Sequence, residues 1–187
     1  MAYYYLVASL PPLALDEAIP FTPETFLHSC EIHSCENLLS RADLDDVRCI
    51  VSRRPERGRH RFLRTWIGRE TRLRNALARR RAAARGLDPL PFLRDDEGSD
   101  SAIERAAAEA MAADDPLRRE LALDRFRWQT LDDLAWPEPF GASALFAFAL
   151  KLQIADRWRR LTVERGREVL KEIVSENLKS ASGGSAQ

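Results

Sequence analysis

From His60 to Arg85 the chain contains no proline and one glycine, Gly68, and is otherwise dominated by Arg, Ala and Leu. These side chains lose little rotamer freedom in a helix. Phe62, Trp66, Leu73, Leu77 and Ala84 recur at helical spacing and fall on one face. The stretch predicts a single amphipathic helix, roughly 35–40 Å long at 1.5 Å per residue. Gly86 suits the left-handed turn that closes such a helix, and Pro89 and Pro91 prevent its continuation. An apolar stripe of that length has to be covered by other elements, which restricts the fold to packed layers around it.

The remaining punctuation predicts more helices. Thr22-Pro23-Glu24 reads as an N-cap, a first-turn proline and a first-turn acid, so a helix should run from about Pro23 to Leu39. A shorter one should begin at Ser40 and end near Val51, before the breakers Pro55 and Gly58. Ser99 or Asp100 can cap an Ala-rich helix that reaches about Ala113. Asp115-Pro116 starts another, with Leu117, Leu121, Trp128 and Leu131 expected to face inward. Gly141 to Trp158 is apolar nearly all round in its first half and should be the central helix. Thr162-Val163-Glu164 can open a last helix, with Ser180 to Gln187 as a loose tail. The opening Tyr3-Tyr4-Tyr5-Leu6-Val7 is aromatic and β-branched, and reads as a short strand or, preferably, an ordered apolar arm. The expected fold is all-α: one bundle of about six or seven helices over residues 1–180, with 181–187 as a flexible tail.

Twenty-nine basic residues balance twenty-nine acidic ones, which excludes a wholly basic nucleic-acid binder but not a local basic patch. The longest strongly apolar run, Ala142 to Leu150, is about half of the roughly 20 residues a spanning helix needs. With no secretory signal read at its start and three cysteines, the chain is expected to be cytoplasmic with reduced thiols.

The charge is segregated. Thirteen arginines lie between Arg53 and Arg85, opposed by Glu56 and Glu70, and the stretch from Asp88 to Asp124 is acidic. Arg forks pair with carboxylates and phosphates, so the long helix reads as a protein-docking ridge, with Arg69, Arg72, Arg79 and Arg80 as the partner-binding residues. The alternative is a nucleic-acid track along helix 60–85. The bland reading is a solvated face that pairs internally with the acidic stretch. Glu70 falls near the apolar stripe between Trp66 and Leu73, where a carboxylate must be paired. Arg74, one turn on, makes it a predicted structural ion pair.

His28, Cys30, His33 and Cys35 crowd one short stretch without a second distant pair, so they read as residues of a helix and its exit loop rather than a zinc site. Cys49 reads as a small core residue, and His60 as solvated beside the arginine run. Asp95-Asp96-Glu97 does not follow a calcium loop. No phosphate loop, dinucleotide fingerprint, nucleophile elbow or His-Glu-x-x-His is present. The expectation is no catalytic residue, no metal, no cofactor and no small-molecule substrate.

Three blocks carry a family resemblance. They are Tyr3-Tyr4-Tyr5-Leu6-Val7-Ala8-Ser9-Leu10-Pro11; Trp66-x-x-x-Glu70-x-x-Leu73-Arg74-Asn75-x-Leu77-Ala78-x-x-Arg81-Ala82; and Phe140-Gly141 through Ala149-Leu150-Lys151-Leu152-Gln153-Ile154 to Arg157-Trp158 and Gly166-x-x-x-Leu170. Together they resemble DUF2764, a bacterial family of domains of unknown function encoded among V/A-type ATPase genes. The resemblance implies a helical, non-catalytic component or accessory factor of a rotary ATPase, comparable to the C-type component of these machines (d-type in eukaryotic V-ATPases). Such a component would couple the rotor shaft to the membrane ring. The implied partners are the other V/A-type ATPase subunits of the central stalk and membrane ring, and the implied location is cytoplasmic, peripheral at the inner face of the membrane.

Overall fold

Helix starts lie where short oxygen-bearing side chains and prolines put them. The computed structural model describes residues 2–15, 21–95, 98 and 100–161. A one-turn helix, α1 (Tyr4–Ala8), opens the chain. Thr22 then caps α2 (Pro23–Cys35), accepting from the Thr25 N–H at 3.2 Å. Ser40 caps α3 (Arg41–Val51) through the Asp43 N–H at 3.1 Å. The long arginine-rich helix is α4 (Arg61–Ala83), followed by Gly86 at φ 66°. Asp100 caps α5 (Ser101–Ala112), and Asp115 caps α6 (Pro116–Ala135) with Pro116 in its first turn. The last described helix is α7 (Ala142–Arg160). The predicted last helix from Thr162 and the tail lie outside the described residues. The all-α expectation holds: seven α-helices and no strand occur among the described residues.

Local details depart from the sequence reading. The N-terminal segment is not a strand; it takes the form of one helical turn. Ala2 makes an isolated antiparallel bridge with Gly141, and the chain then coils into α1, with Tyr3 and Leu6 buried. The Tyr3 hydroxyl donates to the Asp43 carboxylate, so tertiary contacts override the strand-like composition. The second helix stops at Cys35 rather than Leu39. Asn37 turns left-handed at φ 60°, and the N–H groups of Leu38 and Leu39 both fold back onto the His33 carbonyl. His60 is not solvated: it caps α4 by accepting from the Phe62 N–H at 3.1 Å, and its ring meets Phe146 edge-on at 5.1 Å. On α6 the inward residues are Leu123 and Leu131, whereas Leu117 is exposed.

Asp46 explains how α3 delivers the chain into α4. It is 4% exposed, and its two oxygens accept from the Arg59 N–H at 2.7 Å and the His60 N–H at 2.9 Å. Beneath this turn, Gly58 sits where a Cβ would come within 2.2 Å of the fully buried Leu63 side chain. Asp46→Ala leaves both N–H groups without an acceptor and is expected to cost about 1–3 kcal/mol. A urea titration should show a lowered midpoint at unchanged slope, with Asp46→Asn, which keeps one acceptor, falling between variant and parent.

Apolar residues gather in two clusters. The larger joins α1, α2, α3, the first half of α4, the end of α6 and α7, with Phe26, Ile50, Leu63, Leu145 and Phe146 fully buried. The smaller joins the second half of α4, α5 and the first half of α6 through Leu73, Ala76, Ile103, Ala107 and Leu123. The two longest helices, α4 and α6, pass through both clusters.

Candidate functional site

Where α4 and α6 cross from one apolar cluster to the other, each places a charge on its buried stripe. On α4, Glu70 lies between Trp66 of the larger cluster and Leu73 of the smaller. On α6, Arg127 lies between Leu123 of the smaller and Leu131 of the larger, one turn from each. The two meet as a fork. Arg127 Nε donates to Glu70 Oε2 at 2.9 Å and Nη2 donates to Oε1 at 3.0 Å. The third nitrogen, Nη1, donates to Asp124 Oδ1 at 2.9 Å.

Asp124 is completely buried and collects further donors from α7. The Trp158 indole N–H reaches its Oδ2 at 2.7 Å, and Arg157 Nη2 donates to the same oxygen. Arg74 Nε adds a 3.0 Å bond to Glu70 Oε1. Every carboxylate oxygen of the pair therefore accepts from a guanidinium or indole. Burial works against the charge on Arg127, but the hydrogen bonds and charges of Glu70 and Asp124 outweigh it and hold the guanidinium pKa above that of an ordinary arginine. The junction is a hydrogen-bonded ionic clamp that ties α4, α6 and α7 together.

A cleft of about 550 Å³ opens onto this clamp. Its floor includes Trp66, Ile67, Leu150 and Ile154, and Arg53, Arg74, Arg94 and Arg157 stand among its lining residues. Asn75, itself 5% exposed, fixes the backbone at Arg94 from both sides. Its Nδ2 donates to the Arg94 carbonyl and its Oδ1 accepts from the Arg94 N–H, each at 2.9 Å.

The predicted Glu70–Arg74 pair is present, but the two-pronged partner of Glu70 is Arg127, 57 positions away. The predicted docking residues are partly engaged within the chain. Arg79 pairs with Glu104 of α5, and Arg80 Nη2 donates to the Glu104 carbonyl at 3.3 Å. The Arg72 guanidinium lies beside Gly98, and Arg69 is half-buried on α4. Neighbouring Arg81 and Arg85 are exposed. Sequence reasoning missed Asp124, Arg127, Arg53 and Arg94 as site residues. The signal for Arg127 was its place at i+4 between two inward leucines, the same clue that marked Glu70.

The histidine and cysteine cluster does not converge on a cation. Cys30 is buried, and burial, with a smaller contribution from Glu31, pushes its thiol up to about 12. His33 Nδ1 bonds the Ser29 carbonyl at 2.7 Å, and Cys35 is exposed. Cys49 is half-buried beside Val47 and Ile50, which are fully buried. Among the described residues, no three His, Cys, Asp or Glu side chains are grouped to hold a metal ion.

A second surface feature lies at the start of the chain. The Tyr4 and Phe140 rings pack with centroids 5.0 Å apart, the Tyr3 N–H donates to the Phe140 carbonyl, and Tyr4, Tyr5, Trp136 and Phe140 are all exposed. The aromatic edge thus joins the first and last blocks of the family resemblance in space.

No curated protein and no solved structure matches the chain. A family model described as a protein of unknown function (DUF2764) matches residues 94–182, a span that holds α5, α6, α7 and the Asp124–Arg127–Arg157 part of the clamp. Through this match the segment 94–182 is similar to the DUF2764 family.

Proposed function

We propose that this chain is a non-catalytic component or accessory factor of a V/A-type rotary ATPase, comparable to its C-type component. It couples the rotor shaft to the membrane ring through protein contacts at the cytoplasmic face of the membrane. The observation that carries this reading is the aromatic edge of Tyr4, Tyr5, Trp136 and Phe140. Tyr4 and Phe140 pack together where two resemblance blocks meet, Tyr5 and Trp136 are exposed on the flanking turns of the chain, and exposed aromatic groups are enriched at protein interfaces. No helix among the described residues is long and apolar enough to cross a membrane.

The arginine ridge plays a conditional part. Arg79 and Arg80 are held by Glu104, so a partner carboxylate docks there by displacing an internal one. The same pairing weakens the alternative of a nucleic-acid track, because Arg79 and Arg80 already spend donors on Glu104.

Trp136 is 83% exposed, and Trp136→Ser is expected to leave Tm within about 2 °C of the parent, as surface substitutions do. The tagged parent should retain ATPase subunits in a pull-down from detergent-solubilised membranes, and the variant should lose most of them. Absence of ATPase subunits from the parent pull-down overturns the reading, and their full retention by Trp136→Ser overturns the aromatic edge as the contact.

A further inference from the structure

We propose that the cleft beside the Glu70–Arg127–Asp124 clamp binds the dianion of a phosphate monoester. The cleft shares no residue with the aromatic edge. Five arginines line the cleft against three acidic residues, Glu56, Glu70 and Asp124, which leaves a formal surplus of two positive charges. Glu70 and Asp124 are saturated by Arg127 and its neighbours. Arg74 and Arg157 each engage their carboxylate through a single nitrogen, so the remaining N–H groups of both are open to a ligand. Among the described residues, the Arg53 and Arg94 side chains make no ion pair at all.

Two features fix the backbone from which these arginines project. Arg53 follows the C-cap of α3 in the left-handed conformation, φ 58°, with its N–H on the Ile50 carbonyl at 2.8 Å. Glycine is the favoured residue at such a position, so an arginine there carries local strain. Arg94 is fixed by the two-sided Asn75 clamp.

The chemistry selects phosphate. Several guanidinium forks offer more donors than one carboxylate can accept, whereas a phosphate dianion presents three strong acceptor oxygens. The apolar floor of Trp66, Ile67, Leu150 and Ile154 matches the organic part of an ester. A volume of about 550 Å³ lies within the range of small-molecule sites. The phosphate can belong to a free metabolite or to a lipid headgroup.

The test is a titration of the full chain in low-salt Tris chloride at about pH 8, where a phosphate monoester is dianionic. Phenyl phosphate is followed by calorimetry and by tryptophan fluorescence, with succinate as the carboxylate control. Saturable binding of phenyl phosphate, at least about tenfold tighter than succinate, is expected on the fork-geometry argument. Arg94→Ala should weaken it by about tenfold or more, the scale of one lost charge-assisted contact. Arg53→Gly should weaken binding similarly and yet raise Tm by roughly 2–4 °C, because strain is removed along with the ligand contact. Arg81→Ala, exposed on α4 and not part of the cleft lining, should bind as the parent does. Vesicles containing phosphatidic acid form the second arm. Binding to them without phenyl phosphate binding assigns the same phosphate chemistry to a headgroup. No binding in either arm, equal binding of succinate, or unchanged binding by both Arg53→Gly and Arg94→Ala overturns the proposal.

Discussion

Asp124→Ala is expected to destabilise the protein by about 3 kcal/mol, the lower end of what removing one partner of a buried charge cluster costs. The carboxylate is completely buried and accepts from Arg127, Arg157 and Trp158. Its removal strands Arg127 Nη1 and the indole N–H away from water. Glu70 still holds two nitrogens of Arg127, and Arg157 is half-exposed and can turn to solvent, which keeps the loss from reaching the upper end. In chains of this size each kcal/mol shifts Tm by roughly 2–4 °C, so a fall of roughly 6–12 °C should appear in a thermal melt. Asp124→Asn keeps an acceptor for Trp158 while losing the charge, and should fall between the two. A melt of Asp124→Ala that coincides with the parent would mean that the buried carboxylate does not organise the junction.

Most of the helix framework was legible in the sequence because caps and prolines act locally. Thr22, Ser40, Asp100 and Asp115 each bond an N–H within three residues, so their effect is visible in a short window. The charged junction was only half legible. Periodicity placed Glu70 on the buried stripe and named Arg74, which lies on the same helix. It could not show that α6 would bring Arg127 across with better geometry, since that depends on how two helices pack. The ridge of Arg69, Arg72, Arg79 and Arg80 was read from composition, and its engagement by Glu104 follows from α5 packing on α4. The helical form of the opening segment was not legible, for the reverse reason. Its tyrosines favour strands in general, but no neighbouring strand exists among the described residues to pair with it. Burial of Tyr3 and Leu6 on one turn of helix satisfies the same apolar area.

Phe146→Ala is expected to have the larger effect, about 3–5 kcal/mol, as for other buried phenylalanines truncated to alanine. Phe146 lies in the apolar first half of α7, is fully buried, and contacts both His60 at 5.1 Å and Phe62 at 6.0 Å between ring centroids. Truncation therefore opens a cavity beneath the capped start of α4, where Asp46 and His60 bring the chain in. Close-packed neighbours relax only partly into such a space. Phe146→Leu fills most of it and should cost about 1.5 kcal/mol or less. Phe92 provides the control, because it is 59% exposed and its alanine variant should shift stability by no more than about 0.5 kcal/mol. Urea midpoints of the three variants at a common slope decide the matter. If Phe146→Ala and Phe92→Ala prove equally mild, α7 is not the helix around which the larger cluster is assembled. If the ordering holds, the same helix that fills the apolar centre with Phe146 also carries Arg157 and Trp158 to Asp124, so packing at one end of α7 fixes the charged cleft at the other.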